Sequence, residues 1–168
     1  MATKSSQSYT AQRITLRSPT PFYTVLFRLE KLTNHRAAAG LPRPLTSKVF
    51  ETWVEGRLGE SGFMFFNAHA HSEWFSLFSP TPTKKFTTYI LGNPLIARTL
   101  LVHEPRAGLI VPPRVFLMEE ENGTAIVYDL PSSVVCLEGY AGGEGTALEE
   151  AARALDGKLE RVLREALA

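Results

Sequence analysis

Apolar residues recur along this chain at two spacings, and each spacing predicts an element. The most apolar run is Gly62 to Phe78, GFMFFNAHAHSEWFSLF. Read as an extended strand, its side chains alternate between two faces. Phe63, Phe65, Asn67, His69 and His71 then share one face, and Met64, Phe66, Ala68 and Ala70 share the other. A turn near Ser72-Glu73 returns the chain as a second strand, with Trp74, Ser76 and Phe78 on one side. One face is therefore aromatic at its start and polar at its end, the pattern of a pocket floor.

The rest of the chain divides at its Pro, Gly and Asn residues. Gln12 to Arg17 alternates Ile14 and Leu16 with polar neighbours and reads as a half-buried strand. Phe22, Val25, Leu26, Leu29 and Leu32 fall at helical spacing, with Thr20 as the expected cap and Pro21 as the first helical residue. Thr33 to Leu45 is a long loop, suited to a lid or a binding edge. Thr46 or Ser47 caps a second helix, with Gly59 expected in its left-handed C-terminal position. Phe86 to Leu91 is a strand by propensity, and Asn93-Pro94 starts a helix that runs to about His103. Arg114 to Glu120 and Thr124 to Leu130 are strands joined through Asn122-Gly123, a hairpin signal. Val134 to Leu137 has no assignment, and Tyr140 to Gly145 reads as a flexible connector. Thr146 and Glu149 form a capping box ahead of a stripe of Leu148, Ala151, Ala152, Leu155, Leu159, Val162 and Leu163. Helices interleaved with hairpin-linked strands predict an α+β two-layer sandwich, an antiparallel sheet with helices packed on one face. The expected organisation is a disordered tail over 1–9 and a single domain over 10–168.

Charge and cysteine content narrow the function classes. The net charge of +1 predicts no polyanion partner. Residues 1–48 hold eight Lys or Arg and one acid, Glu30, but no basic run with interleaved aromatics, so no nucleic-acid partner is expected. The single cysteine, Cys136, excludes an internal disulfide, and with no hydrophobic leader the expected compartment is the cytoplasm. The first residues are Ser/Thr-rich and acid-free, as in a transit peptide, but the alternation of Ile14 and Leu16 favours a structural strand. No apolar run approaches about 20 residues, so no membrane partner is expected either.

Two readings of the histidines remain. His69 and His71, at i and i+2 of one strand, could share a metal with Glu73, Asn67 or Glu119, but two histidines without a clear third ligand do not make a metal motif. The preferred reading is cofactor-free acid–base chemistry. His69 or His71 would move a proton, Glu73 would orient one of them, Arg114 would hold an enolate, phenolate or carboxylate, and Tyr128 would donate a proton. Phe63, Phe65, Asn67, Trp74, Phe78 and Tyr89 would line the substrate pocket. Ring closure, isomerisation or addition–elimination on a small hydrophobic, aromatic or polyketide-like molecule fits that set, with neither metal nor cofactor. The alternative is a ligand-binding or dimeric interaction protein without catalysis. Cys136 and His103 read as structural, and His35 as a loop residue. No phosphate loop, dinucleotide fingerprint or metalloprotease helix is present.

The segments Leu91-Gly92-Asn93-Pro94 and Ala107-Gly108-Leu109-Ile110-Val111-Pro112-Pro113-Arg114-Val115 resemble the DUF302, or TT1751-like, family. The hairpin at Asn122-Gly123, Tyr128-Asp129-Leu130-Pro131 and Ala154-Leu155-Asp156 extend the likeness over about Phe86 to Leu167. Gly62 to Phe65 and His71 to Trp74 resemble a longer subgroup. The resemblance implies a two-layer fold of TATA-box-binding-protein type, a homodimer as partner state, and no established activity from which catalytic residues carry over. The fold type does not imply DNA binding. An insertion from Thr33 to Trp53 departs from the common form. Some fungal relatives belong to small-molecule biosynthesis, which places secondary metabolism among the expectations.

Overall fold

A computed structural model describes residues 1–35, 46–139 and 145–168. Ile14 and Leu16 alternate with exposed neighbours over Arg13–Ser18, and this stretch is the first strand, β1. Strands β2 (Met64–His69), β3 (Phe86–Gly92), β4 (Arg114–Glu120) and β5 (Gly123–Asp129) follow. They pair in the order β1-β5-β4-β3-β2, every neighbouring pair antiparallel. The described helices are α1 (Phe22–Leu32), α2 (Ser47–Glu55), α3 (His71–Phe75), α4 (Pro94–Leu101), α5 (Pro131–Val135) and α6 (Ala147–Leu167). Short 3-10 turns cover Ser76–Phe78 and Pro105–Leu109. The loop expected as a lid and the expected Tyr140–Gly145 connector lie largely outside the described residues.

One face of the sheet is the core. Phe22, Val25, Leu29 and Leu32 of α1 meet Leu148, Leu155, Leu159 and Leu163 of α6 over Leu16, Leu117, Ile126 and Tyr128. Each fully buried leucine of α6 contributes about 1.5–3 kcal/mol before ordering costs, so the long amphipathic helix is a principal source of stability. The opposite face carries Thr15, Arg17, Arg114 and Asp129, all exposed. This inward–outward division puts the main packing on one side and exposed polar and charged side chains on the other. No helix among the described residues is long and apolar enough to cross a membrane.

Several local signals act differently from expectation. The N-cap of α1 is Pro21 without a side-chain bond. The Thr20 and Ser18 hydroxyls instead donate to the Leu167 carbonyl at 2.9 and 2.7 Å, satisfying an acceptor in the last turn of α6. Thr46 caps α2 as expected, accepting from the Val49 N–H at 3.2 Å, but the helix ends at Glu55. Gly59 is therefore not its left-handed terminus. It lies against the end of α1, where an added methyl would overlap the Leu32 carbonyl. Asn93 caps α4 through the Leu95 N–H at 2.8 Å. Thr146 caps α6, while Glu149 reaches back to the N–H of Gly145 at 2.7 Å, one residue earlier than a capping box requires. Residues of the expected tail make contacts as well: Gln7 Nε2 donates to the Glu138 carbonyl at 2.6 Å.

Candidate functional site

The expected pocket floor is split by one residue. Phe65 pairs with Leu91 and Asn67 with Ile90, so Phe66 is an extra residue, a bulge in β2. Before the bulge, Phe63 and Phe65 point into the core. After it, Ala68 pairs with buried Tyr89, whereas His69 pairs with Thr88 on the opposite face. Asn67 and His69 are exposed there, within 3.4 Å of each other through Nδ2 and Nε2. The single face proposed for Phe63, Phe65, Asn67 and His69 is divided by the bulge, with Phe63 and Phe65 turned into the core.

The expected second strand is absent too. His71 to Phe75 forms the short helix α3, and Ser76–Phe78 a 3-10 turn. A short apolar run carries no periodicity long enough to separate the two states. Helix α3 lays His71 over β3, with Nε2 3.0 Å from Thr88 Oγ1. The imidazole is ringed by Phe86, Phe116 and Trp74, each with its centroid at 6.4 Å, and by His69 at 6.2 Å. Trp74 and Phe78 are 55% and 78% exposed, and with Leu77 they present apolar surface outward at this nest. Glu73 is exposed, and its carboxylate pairs with neither histidine.

An open-face cleft of about 440 Å³ adjoins the nest, sharing Thr88 and Phe116 with it. Arg13, Arg114, Val127, Asp129 and Tyr9 border it further along. Asp129 is engaged by Arg13 through two bonds of 2.8 and 3.1 Å. Among the described residues, Arg114 has no hydrogen-bond or ion-pair partner. The arrangement offers one unengaged guanidinium, a hydroxyl–imidazole pair and aromatic walls on one surface.

Tyr128 and Tyr89 lie on the other side of the sheet. Tyr128 is buried, its hydroxyl has no hydrogen-bond partner among the described residues, and burial, with the charges of Glu160 and Asp156, pushes its pKa up to about 12. Its ring lies on the helix side, near Glu160 and Asp156, although Tyr128 and Arg114 both border the cleft. Tyr89 is fully buried and bonds Thr33 Oγ1 at 2.8 Å; burial raises its pKa well above the usual phenol range. His35, read from sequence as a loop residue with a lid role or none, joins this pair: its Nδ1 lies 3.4 Å from the Tyr89 hydroxyl and 3.8 Å from Glu30 Oε1. The only sequence signal for it was the Glu30–Thr33–His35 spacing at the end of α1, which no motif records.

An apolar cavity of about 420 Å³ lies between α2 and α4, bordered by Phe50, Phe66, Leu95, Ile96 and Pro112. Its charged borders, Glu51 and Arg98, pair with each other at 3.6 Å, so it holds no free proton-transfer group. Among the described residues no three His, Cys, Asp or Glu side chains converge as metal ligands.

A five-stranded antiparallel sheet with one packed and one open face defines an α+β two-layer protein. The chain belongs to the DUF302 family, described as a domain of unknown function, whose profile matches residues 46–166. No curated protein matches it. Among solved structures it is similar to an uncharacterized conserved DUF302 protein from Bacillus stearothermophilus, at 16% identity and a TM-score of 0.64. That likeness covers 92% of this chain and 97% of the other, and it shows the fold.

Proposed function

We propose that this protein binds a small molecule with a flat apolar body and an acidic group in the open-face cleft. The observation that carries this reading is Arg114, exposed and unengaged at a cleft walled by Phe116 and Val127. A carboxylate there would gain a charge-assisted, two-pronged hydrogen bond, and a phenolate a charge-assisted bond to its single oxygen. Titration calorimetry with 1-naphthoate and with 1-naphthalenemethanol tests it. Arg114→Ala should weaken the acid about tenfold and leave the alcohol unchanged; equal loss of both, or of neither, contradicts the reading.

A second reading, cofactor-independent acid–base turnover of the bound molecule, is favoured by the contact of His71 with Thr88 in the cleft wall. Ring closure, isomerisation and addition–elimination all need a proton moved at one position and returned at another. Replacing His69 and His71 by Ala should abolish such turnover and spare binding. Association with a second copy through the Trp74, Leu77 and Phe78 patch is the partner state this reading carries.

A further inference from the structure

We infer that His35 is a general base held in one tautomer by a one-way chain of hydrogen bonds, serving a small neutral carbon acid on the helix side of the sheet. The inference does not depend on the open-face cleft. It starts at the Leu29 carbonyl, which can only accept. The Thr33 hydroxyl donates to it at 2.7 Å, and that commits Thr33's single proton. Across the 2.8 Å contact between Thr33 Oγ1 and Tyr89 Oη, Thr33 must therefore accept and Tyr89 donate. The phenol's only proton is then also committed. At the 3.4 Å contact between Tyr89 Oη and His35 Nδ1, the imidazole is left as donor. Neutral His35 thus carries its proton on Nδ1 and a lone pair on Nε2.

The surroundings hold that arrangement. Thr33 and Tyr89 are both fully buried, so water does not offer them an alternative partner. The imidazole lies on the ring of Phe65, centroid to centroid 3.9 Å and tilted by 33°. Glu30 Oε1, 3.8 Å from Nδ1, places negative charge where an imidazolium would need it once Nε2 has taken a proton. His35 borders a cavity of about 360 Å³ with Phe27, Glu30, Lys31 and Asn34. Phe27 is largely exposed and offers an apolar wall. The Lys31 ammonium, only loosely paired with Glu60 at 3.9 Å, supplies positive charge for an anion developing in the substrate. The substrate class that suits this set is a neutral molecule with a C–H bond activated by an adjacent carbonyl or C=N group. In the step, Nε2 takes the proton, the C–H electron pair moves into the substrate, and the negative charge collects on its heteroatom.

Imidazole nitrogen shifts from long-range proton–nitrogen NMR of the full chain read the tautomer directly. His35 should show a protonated Nδ1 and an unprotonated Nε2. Thr33→Ser should preserve this pattern. Thr33→Val should reverse it, because the released Tyr89 proton turns onto Nδ1 and moves the imidazole proton to Nε2. Should Thr33→Val fail to fold, Tyr89→Phe reads the same point, since Nδ1 then loses its acceptor. An Nε2-protonated His35 in the native chain, or a tautomer indifferent to both changes, overturns the chain of bonds. Base strength is read with 5-nitrobenzisoxazole, whose C–H proton passes to the base as its N–O bond breaks to give a nitrile and a phenolate. The native chain should exceed His35→Ala by at least about tenfold. Turnover that survives His35→Ala overturns the catalytic role, and turnover lost instead in His71→Ala moves it to the open face.

Discussion

Phe65 and Asn67 stand two residues apart in one strand and point to opposite faces of the sheet. The extra residue between them, Phe66, has no cross-strand partner, so the alternation restarts one position late. Deleting Phe66 would restore a regular strand and force either Phe63 and Phe65 out of the core or Asn67 and His69 into it. The deletion should abolish the cooperative urea transition or lower the thermal midpoint by more than about 10 °C. Phe66→Ala, which keeps the backbone count and removes a half-buried ring, should cost only about 1–3 kcal/mol.

Gly59 should tolerate no side chain, although its φ lies outside the left-handed region. Its N–H donates to the Phe63 carbonyl at 2.8 Å, and Ser61 bonds the Leu32 carbonyl through both N–H and hydroxyl. The two segments are thus fixed backbone to backbone, and a methyl at Gly59 would overlap Leu32. Gly59→Ala should destabilise by at least about 2 kcal/mol in chemical denaturation. A neutral effect would show that the end of α1 can shift.

Alkaline unfolding should report on Tyr128. Burial, assisted by Glu160 and Asp156, raises its pKa from 10.0 to about 12, so the native state resists its ionisation. A raised native pKa contributes stability that is complete below the unfolded value and is lost as pH rises from about 10 to 12. Tyr89, displaced in the same direction, should steepen the loss. Tyr128→Phe should flatten part of the fall between about pH 10 and 12, read as a smaller drop in urea midpoint. Because the native hydroxyl has no partner among the described residues, the substitution should leave stability at pH 7 unchanged or raise it by up to about 1 kcal/mol.

Self-association should respond to the patch beside the open face. Leu77 and Phe78 are 81% and 78% exposed, so charge there disturbs little of the monomer. Leu77→Glu with Phe78→Glu should convert a dimer to a monomer in sedimentation velocity while the thermal midpoint stays within about 2 °C. A native chain that sediments as a monomer at all concentrations removes the dimer reading.

What could be read in advance was whatever announced itself within a few residues. The Thr146 cap and the leucine spacing gave α6, Asn93-Pro94 gave α4, and Asn122-Gly123 gave the β4–β5 hairpin. The bulge at Phe66 has no such mark, because an unbroken apolar run looks the same with or without an extra residue. The helical state of His71 to Phe75 was hidden for the same reason. Arg114 and Tyr128 lie on the two strands of the expected hairpin, but the face each side chain takes depends on a register that the strand sequences do not state. His35 escaped notice because its partners come from α1 and β3, and Tyr89 is 54 positions away along the chain.

The bonds from Ser18 and Thr20 to the Leu167 carbonyl bear on how the fold is reached in time. The Ser18 bond joins residues separated by 149 positions, and the Arg13–Asp129 pair between the edge strand and its neighbour spans 116. Strand β1 and helix α1 find their lasting partners only after β5 and α6 have been made. The early segments therefore wait, with Phe22, Val25 and Leu29 exposed, until long loops close. Chains of this kind fold slowly for their size, and the waiting interval is when this one would most need a chaperone's shelter.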